Sequence, residues 1–367
     1  MLGHVARLSK LPLNYLQNRG GIWTGRGERN YKVTVVGAEG GIGQPLSLLL
    51  KQNPLIEQLA LHDVIEAKGV AADLSHICTP AEVSHFRSEE LLEALQDAHV
   101  VVVAAGLPRK PGMSRDELMA ANASVALTVA CAVSIACPEA LLAFITNPIN
   151  AIVPMAAEFL KAKGVFDPNR LFGITTLDVV RSKTFIGKFM SIDPDLVDIP
   201  VIGGHAGITI LPLLSQCYPK FPEAEVEELQ RLRQRIQEAG TEVVEAKAGK
   251  GSATLSMAYA GAHFVNALLR GLDDEEDVLE CAYVASNVAE LPFLATPMLL
   301  GPNGIKQNLG LPSMNEEEKA AFEEMLPELR DSIQLGIRSA QTAMKDIQQE
   351  DNASEQIPTN KRASQSE

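Results

Sequence analysis

Residues 31–52, YKVTVVGAEGGIGQPLSLLLKQ, decide the fold of this chain. The six residues YKVTVV are rich in β-branched side chains, which favours a β-strand. The strand runs into a turn that contains Gly37, Gly40 and Gly43, and QPLSLLLKQ then has the leucine spacing of a helix. A strand that enters a helix through a glycine turn is typical of the first unit of a parallel, doubly wound sheet.

More strands are predicted downstream of this unit. QLALHD ends at Asp63, HVVVVAAG ends at Gly106, and LLAFITN occupies residues 141–147 after a helix at 115–137. The alternation of strands and helices predicts an α/β fold, with a Rossmann-type doubly wound parallel sheet over residues 31–147.

The pattern changes after residue 147. Residues 148–347 combine helices flanked by Pro and Gly with strands around DLVDIPVIGG and GITILPL, and we expect an α+β substrate domain. Long helices are predicted in this domain at 223–247, 252–270 and 315–349. Residues 348–367 are polar and lack apolar periodicity, so a disordered tail is expected there.

An acid at the end of the second strand adds a function to the glycine turn. Asp63 lies 20 residues after Gly43, the arrangement of a dinucleotide-binding unit. The glycines let backbone N–H groups approach a pyrophosphate, and the carboxylate binds the ribose hydroxyls, which favours NAD over NADP. A turn that only tightens strand-to-helix packing is the alternative. Glu39 places an acid inside the same turn, and we expect its side chain to face solvent, where it costs little affinity. A side chain that faces inward, the alternative, would weaken cofactor binding.

Composition limits the possible partners. The chain has 367 residues, 46% of them hydrophobic, and a formal net charge of −14, which argues against a nucleic-acid partner. No uninterrupted apolar run reaches the roughly 20 residues needed to cross a bilayer, so no membrane partner is expected. Five scattered cysteines without a CxxC pair suggest neither disulfides nor a zinc site, and no metal is predicted.

The first 30 residues differ from the rest of the chain. They carry five basic residues, Arg7, Lys10, Arg19, Arg26 and Arg29, against a single acid, Glu28. This composition predicts a mitochondrial transit peptide and a matrix location. A flexible basic tail without a targeting role is the alternative.

One histidine and one aspartate form a candidate proton-transferring pair. His205 lies between glycines in VIGGHAG, and Asp178 lies upstream in TTLDVVR. An imidazole can accept and return a proton near neutral pH. Three arginines suit an anionic substrate: Arg109 and Arg115 on a loop that contains Pro and Gly, and Arg181 one helical turn after Asp178. Surface ion pairs are the alternative role for these arginines.

Over roughly residues 31–345 the chain resembles the malate dehydrogenases of the mitochondrial and bacterial type, within the lactate/malate dehydrogenase superfamily. The motifs that carry the resemblance are GAEGGIGQPL, AADLSHI, RKPGMSRDEL, ITNPIN, LFGITTLDVVR, IGGHAG and GSATLSMAYAGA.

The resemblance implies an NAD-dependent oxidoreductase that interconverts (S)-malate and oxaloacetate in the tricarboxylic acid cycle. In that scheme His205 is the general acid/base and Asp178 orients it. Arg181 binds the carboxylate next to the reacting carbon, Arg109 and Arg115 bind the distal carboxylate, and Asn147 bonds the substrate oxygen. The implied cofactor residues are Gly37, Ala38, Glu39, Gly40, Gly41, Ile42, Gly43, Asp63, Asn122, Ile145, Thr146, Asn147 and Met257.

The resemblance also implies a homodimer, because the helix that contains Asp73 lies at the subunit interface in this family. Two other functions stay open. One is a catalytically weakened paralogue, which Glu39 and the polar tail would allow. The other is a dehydrogenase of a different 2-hydroxy acid such as lactate, although a monocarboxylate offers no partner for the charge of Arg109.

Overall fold

The computed structural model describes residues 31–107, 112–221 and 225–355, without the side chains of residues 115, 116, 347 and 350–355. The α-helices in these residues are α1 (Gly43–Lys51), α2 (Lys68–Ser75), α3 (Leu91–Leu95), α4 (Arg115–Ala136), α5 (Ile149–Ala162), α6 (Thr176–Met190), α7 (Val226–Ala246), α8 (Leu255–Leu272) and α9 (Glu316–Glu355). The strands are β1 (Tyr31–Val36), β2 (Ile56–His62), β3 (Glu82–Phe86), β4 (Val100–Val103), β5 (Leu141–Phe144), β6 (Leu171–Gly173), β7 (Val201–Gly203), β8 (Ile210–Pro212), β9 (Leu279–Ala285), β10 (Phe293–Gly301) and β11 (Gly304–Asn308).

The described strands form one sheet in the order β3-β2-β1-β4-β5-β6-β9-β10-β7-β8, with β11 paired to β10. The strands from β3 to β6 are mutually parallel. The strands from β9 onward pair in antiparallel fashion. The predicted doubly wound parallel sheet is therefore present, and the antiparallel strands extend it with the second half of the chain.

The central parallel strands are buried on both faces. In β4, Val100 and Val102 belong to the apolar cluster on one face, and Val101 and Val103 belong to the cluster on the other. Residues of α4, α5 and α9 cover one face, and residues of α1, α2 and α8 cover the other. This double burial explains why β4 is a continuous apolar run without alternation.

Several strands were not predicted from the sequence. β3 was missed because its residues EVSHF are partly exposed at the edge of the sheet and form no apolar run. β6 was missed because it is only three residues long. Since β6 pairs in parallel with β5, the parallel sheet continues past the predicted domain boundary at residue 147. The strands β9 to β11, which lie between two predicted helices, were also missed.

The end of the last helix differs from the prediction. α9 runs to Glu355, so residues 348–355, which were expected to be disordered, continue the helix. The segment QQEDNASE contains neither Gly nor Pro, and a helix that has already formed elongates at little cost. The rest of the predicted tail, residues 356–367, and the predicted transit peptide, residues 1–30, lie outside the described residues.

Within the described residues, one segment of α4, Glu117–Ala136, is long and apolar enough to cross a membrane by length and composition. Its side chains Ala126, Ala130 and Val133 are buried in the core on one face of the sheet. The apolar character of this segment is thus explained by its packing as a core helix.

Candidate active site

The sheet order places a crevice at the carboxyl ends of β1 and β4. The chain passes from β1 to β2 on one side and returns to β4 on the other side of β1, so the connections diverge at this point. Ligands of open α/β sheets bind at such a switch point. The predicted cofactor residues Gly37, Asp63 and Ile145 follow the ends of β1, β2 and β5 at the same edge.

The glycine turn after β1 is held by the end of β2. The backbone N–H groups of Gly37 and Ala38 donate to the carbonyl oxygen of His62, at 2.8 and 3.1 Å. The N–H of Glu39 donates to Oδ2 of Asp63 at 2.9 Å. Asp63 therefore has a structural role in this turn besides the predicted bond to the cofactor ribose.

The glycines of the turn fit a pyrophosphate group. A Cβ on Gly43 would collide with the carbonyl oxygen of Gly37, and a Cβ on Gly37 would collide with the backbone of Ala105. Gly37 also has a φ of +93°, which disfavours other residues. Gly40 and Gly41 are exposed, so their backbone is accessible at the start of α1. Backbone N–H groups at a helix N-terminus are a suitable site for phosphate.

Glu39 lies half-buried at the rim of this turn. Nε2 of Gln44, an exposed side chain on α1, donates to Oε2 of Glu39 at 3.2 Å and to its carbonyl oxygen at 2.9 Å. The carboxylate is thus tied to a surface amide and forms no described ion pair with a basic side chain. That this carboxylate costs little cofactor affinity stays a prediction.

The predicted cofactor residue Asn122, on α4, joins the loops after β4 and β5. Its Oδ1 accepts the N–H of Leu107 at 2.7 Å, and its Nδ2 donates to the carbonyl oxygens of Asn147, at 2.7 Å, and Leu107, at 3.2 Å. The hydroxyl of Thr146 donates to the carbonyl oxygen of Ala105 at 2.7 Å. These bonds fix the loops, while the Asn147 side chain is exposed and available to a ligand.

Three exposed apolar side chains lie beside the predicted cofactor residues and were missed from the sequence. Val64 and Ile65 follow Asp63 and are 79% and 68% exposed, and Leu107 follows Gly106 and is 58% exposed. Apolar side chains on either side of a crevice suit the flat faces of an aromatic base. Their position directly after Asp63 and Gly106 is the signal that could have identified them.

His205 and Asp178 are in direct contact. Nδ1 of His205 lies 2.5 Å from Oδ2 of Asp178, and the two side chains are 9% and 0% exposed. With the carboxylate ionised, this contact places the ring proton on Nδ1 and leaves Nε2 free to accept a proton. The predicted pair is therefore formed by the folded chain, since β7 leads to His205 and the first turn of α6 carries Asp178.

A residue that the sequence reasoning missed holds the histidine loop. Asn150, on α5, is buried, and its Oδ1 accepts the N–H of His205 at 2.8 Å. Its Nδ2 donates to Oγ1 of Thr209 at 3.2 Å. A Cβ on Gly204 would approach the Asn150 amide to 2.7 Å, so this glycine lets the two loops meet. The signal was the ITNPIN motif, in which Ile145, Thr146 and Asn147 were given roles and Asn150 was not.

Arg181 lies next to the proton-transferring pair. Its NH1 is 4.0 Å from Oδ1 of Asp178, and its side chain is 12% exposed. Oδ1 of Asp178 is buried without a hydrogen-bond partner in the described part of the chain. Burial lowers the pKa of Arg181, and the charges of Asp178 and Glu242 partly offset this effect. A guanidinium stays charged under all ordinary conditions, so Arg181 can pair with a substrate carboxylate.

The remaining predicted residues are placed only in part. Arg109 lies outside the described residues, and Arg115 is the first residue of α4 with its side chain not described. Met257, on α8, is buried at 3% exposure. Gly41 and the loop before α8 are close, because a Cβ on Gly41 would lie 3.1 Å from Cγ2 of Thr254.

In the described ranges no group of His, Cys, Asp and Glu could hold a metal ion.

Comparison with family models identifies both halves of the chain. Residues 31–173 match the NAD binding domain of lactate/malate dehydrogenases, and residues 175–340 match their alpha/beta C-terminal domain. The chain belongs to the lactate/malate dehydrogenase family. The first match includes β6, in agreement with the parallel pairing of β6 with β5.

Individual relatives cover most of the chain. The mitochondrial malate dehydrogenase of Felis catus is 52% identical over 310 residues, which are 84% of this chain and 91% of the relative. The chloroplastic malate dehydrogenase of Arabidopsis thaliana is 53% identical over 85% of this chain and 78% of the relative. The crystal structure of Cryptosporidium parvum malate dehydrogenase superposes with a TM-score of 0.74 at 27% identity, over 84% of this chain and 99% of the other.

These matches confirm the predicted family, the Rossmann-type α/β fold, the NAD-dependent oxidoreductase class and the NAD cofactor. The predicted malate dehydrogenase activity is confirmed at the level of these relatives. The roles of individual residues stay predictions.

Proposed function

We propose that this family member interconverts (S)-malate and oxaloacetate with NAD, and that His205 and Asp178 handle the proton of the reaction. The observation that carries this assignment is the buried contact of 2.5 Å between Nδ1 of His205 and Oδ2 of Asp178. The identity to malate dehydrogenases over most of the chain supports malate as the substrate.

The reaction divides the hydrogen of the alcohol between the cofactor and the protein. Bound NAD would supply the acceptor for the hydride that leaves C2 of malate with both electrons of the C–H bond. The hydroxyl proton passes to Nε2 of His205 as the C–O bond becomes a carbonyl. Asp178 stabilises the resulting imidazolium and holds the ring with Nε2 toward the substrate. In the reverse direction the same Nε2–H protonates the carbonyl oxygen of oxaloacetate.

Arginines bind the two carboxylates of the substrate. Arg181, one helical turn from Asp178, binds the carboxylate next to C2, where its charge is little screened by water. Arg109 and Arg115 bind the distal carboxylate, and Arg109 also polarises the carbonyl. The exposed amide of Asn147 bonds the substrate oxygen. A substrate that lacks the distal carboxylate leaves a cation without a partner, which disfavours lactate.

NAD is held by the crevice at β1 and β4. The backbone of residues 37–43 receives the pyrophosphate, and Asp63 binds the ribose hydroxyls while it also anchors Glu39. Asn122, residues 145–147 and Met257 would contact the nicotinamide half. The two carboxylates Asp63 and Glu39 disfavour a 2′-phosphate, so NADP is a poor cofactor.

The absorbance of NADH tests this function directly. Purified protein is mixed with NADH and either oxaloacetate or pyruvate, and the decrease in absorbance is followed. We expect turnover with oxaloacetate and a rate at least about a hundredfold lower with pyruvate, because a cation left without its carboxylate partner in the closed complex costs several kcal/mol. No turnover with oxaloacetate would refute the function, and equal rates would refute the role of the arginines.

We further propose a homodimer and a mitochondrial matrix location. The exposed side chains of Leu255 and Tyr259 on α8 support an interface that a second copy covers, together with the α2 face around Asp73. Light scattering on purified protein would measure the mass.

The mitochondrial relatives and the basic residues 1–30 support import. Trp23 is the sole tryptophan, so protein isolated from mitochondria should lack tryptophan fluorescence.

A further inference from the structure

Helices α6 and α7 meet along one row of side chains that starts at the active site. The position of a Cβ on Gly240 of α7 lies 3.9 Å from NH1 of Arg181 on α6. One turn further along α6, the ring centroid of Phe185 lies 4.1 Å from the guanidinium carbon of Arg235. Since residue numbers rise along one helix as they fall along the other, the two helices run antiparallel.

The row ends in a surface groove away from the substrate arginine. The groove has a volume of about 340 Å³ and is lined by Phe185, Lys188, Phe189, Glu228, Arg231, Leu232 and Arg235. Phe189 is 38% exposed, and its ring packs edge-on against Phe221 at a centroid distance of 5.9 Å. The groove therefore offers an accessible aromatic surface that is already fixed in place.

The charge of the groove is positive and largely unpaired. Its single acid, Glu228, is engaged at the start of α7, where its Oε2 accepts the N–H of Glu225 at 3.3 Å. Nε of Arg231 donates to the carbonyl oxygen of Glu227 at 3.1 Å, which leaves its terminal nitrogens for a ligand. In the described part of the chain, neither Lys188 nor Arg231 forms an ion pair with an acidic side chain. Cations beside an exposed aromatic ring suit an anion that carries its own ring.

We propose that this groove is a second ligand site, which binds a small aromatic anion such as a phosphate ester of a single ring. The ring packs on Phe189 and Leu232, and the anionic group pairs with Lys188 and Arg231. The site is distinct from the cofactor crevice, which lies at the carboxyl ends of β1 and β4.

The groove is coupled to the substrate site through α7, and this part of the proposal rests on the proposed role of Arg181. Arg235 pairs with Glu242, two helical turns along the same face of α7, with NH2 at 3.4 Å from Oε1. Glu242 lies two residues after Gly240, whose Cβ position is 3.9 Å from NH1 of Arg181, and its negative charge acts on that guanidinium. An anion in the groove attracts Arg235 and frees Glu242, which then competes with the substrate carboxylate for Arg181.

Calorimetry with phenyl phosphate tests the site. Phenyl phosphate is titrated into the full chain in the presence of excess NADH and excess hydroxymalonate, an unreactive dicarboxylate. The cofactor site and the substrate site are then both filled. We expect one molecule of phenyl phosphate to bind per chain. The affinity should be at least tenfold weaker when inorganic phosphate replaces phenyl phosphate, and at least tenfold weaker for phenyl phosphate in the Lys188→Gln and Arg231→Gln variants. Arg330→Gln removes an exposed arginine on α9 and should leave the affinity unchanged. Thermal melting verifies that each variant is folded. No binding, or equal binding by all variants, would overturn the site.

Kinetics test the coupling. Phenyl phosphate should raise the KM for oxaloacetate severalfold without a change in kcat, and the KM of Glu242→Gln should not respond although the probe still binds to that variant. An unchanged KM in the unmodified protein at a saturating probe concentration would refute the coupling. A protein without turnover on oxaloacetate would refute the proposed function instead, and the calorimetry would still decide the groove.

Discussion

The cofactor half and the substrate half of the crevice are built from different parts of the chain. On the cofactor side the glycine turn contributes backbone N–H groups, which bond the carbonyl oxygen of His62 and the carboxylate of Asp63. On the substrate side they come from buried, charged side chains, with Asp178 and His205 lying 27 residues apart in the sequence. Backbone sites depend on the absence of side chains, whereas the proton-transferring site depends on an exact pair of them. The two halves should therefore respond differently to substitution.

Replacing Asp178 by asparagine should have the largest effect on kcat among the substitutions that are each compared with a control variant. The amide keeps the shape of the carboxylate but removes the charge that stabilises the imidazolium, so kcat for oxaloacetate should fall by about 10²–10⁴. The decrease in NADH absorbance after enzyme, NADH and oxaloacetate are mixed measures this rate. Asp198→Asn is the matched control, because burial raises the pKa of Asp198 and this acid lies outside the site. If both variants lose activity equally, the charge of Asp178 has no special role.

Gly43→Ala should damage the cofactor half. The new methyl group collides with the carbonyl oxygen of Gly37, so we expect a loss of about 1–3 kcal/mol in the free energy of unfolding and at least a tenfold loss of NADH affinity. Denaturant titration and NADH fluorescence measure the two effects. Gly69→Ala, on α2, meets no atom within 4 Å and should keep or slightly raise stability. A stable Gly43→Ala protein with normal affinity would contradict the close approach.

Asn150→Ala should lower kcat more than it lowers cofactor affinity. The substitution removes the acceptor of the His205 N–H, so the histidine loop shifts, and we expect kcat to fall by about tenfold or more. The control is Asn266→Ala, which removes a buried hydrogen bond of 3.1 Å from Nδ2 of Asn53 to Oδ1 of Asn266 and does not contact His205. Both should lose stability, but Asn266→Ala should keep kcat. An equal loss of kcat would make the role of Asn150 merely structural.

Glu39→Gln should have the smallest effect. Glutamine preserves a hydrogen bond with Gln44 and removes one negative charge near the pyrophosphate. Because the acid is partly solvated, we expect an affinity gain for NAD of about two- to fivefold. Calorimetric titration of NAD measures the gain. A gain of tenfold or more would show that the carboxylate faces the cofactor.

The same contrast explains how much could be predicted from the sequence. The unit from Tyr31 to Gln52 was predictable because a strand, a glycine turn and a helix are local in the chain. β3 and β6 were not, because an edge strand such as EVSHF and a strand of three residues have no periodicity to detect. Their place in the sheet depends on neighbours that are distant in sequence.

The site was predicted in a similar way. The glycines and Asp63 follow from a spacing, and residue chemistry suggested His205, Asp178 and Arg181 as candidates. Which substrate carboxylate Arg181 binds came only from the family resemblance. Asn150 was missed because its contact with His205 spans 55 residues and an asparagine on an apolar helix has no distinctive pattern. Val64, Ile65 and Leu107 were missed because exposure of an apolar side chain is a property of the fold.

The most direct test of the proton-transfer assignment is the turnover of His205→Asn, measured by NADH absorbance together with NADH affinity. We expect kcat with oxaloacetate to fall by about 10²–10⁴ while the dissociation constant of NADH changes by less than about twofold, because the proposed mechanism gives His205 the substrate proton and leaves the cofactor to the β1–β4 crevice. A variant that retains a tenth of the normal rate, with its fold intact, would contradict the assignment.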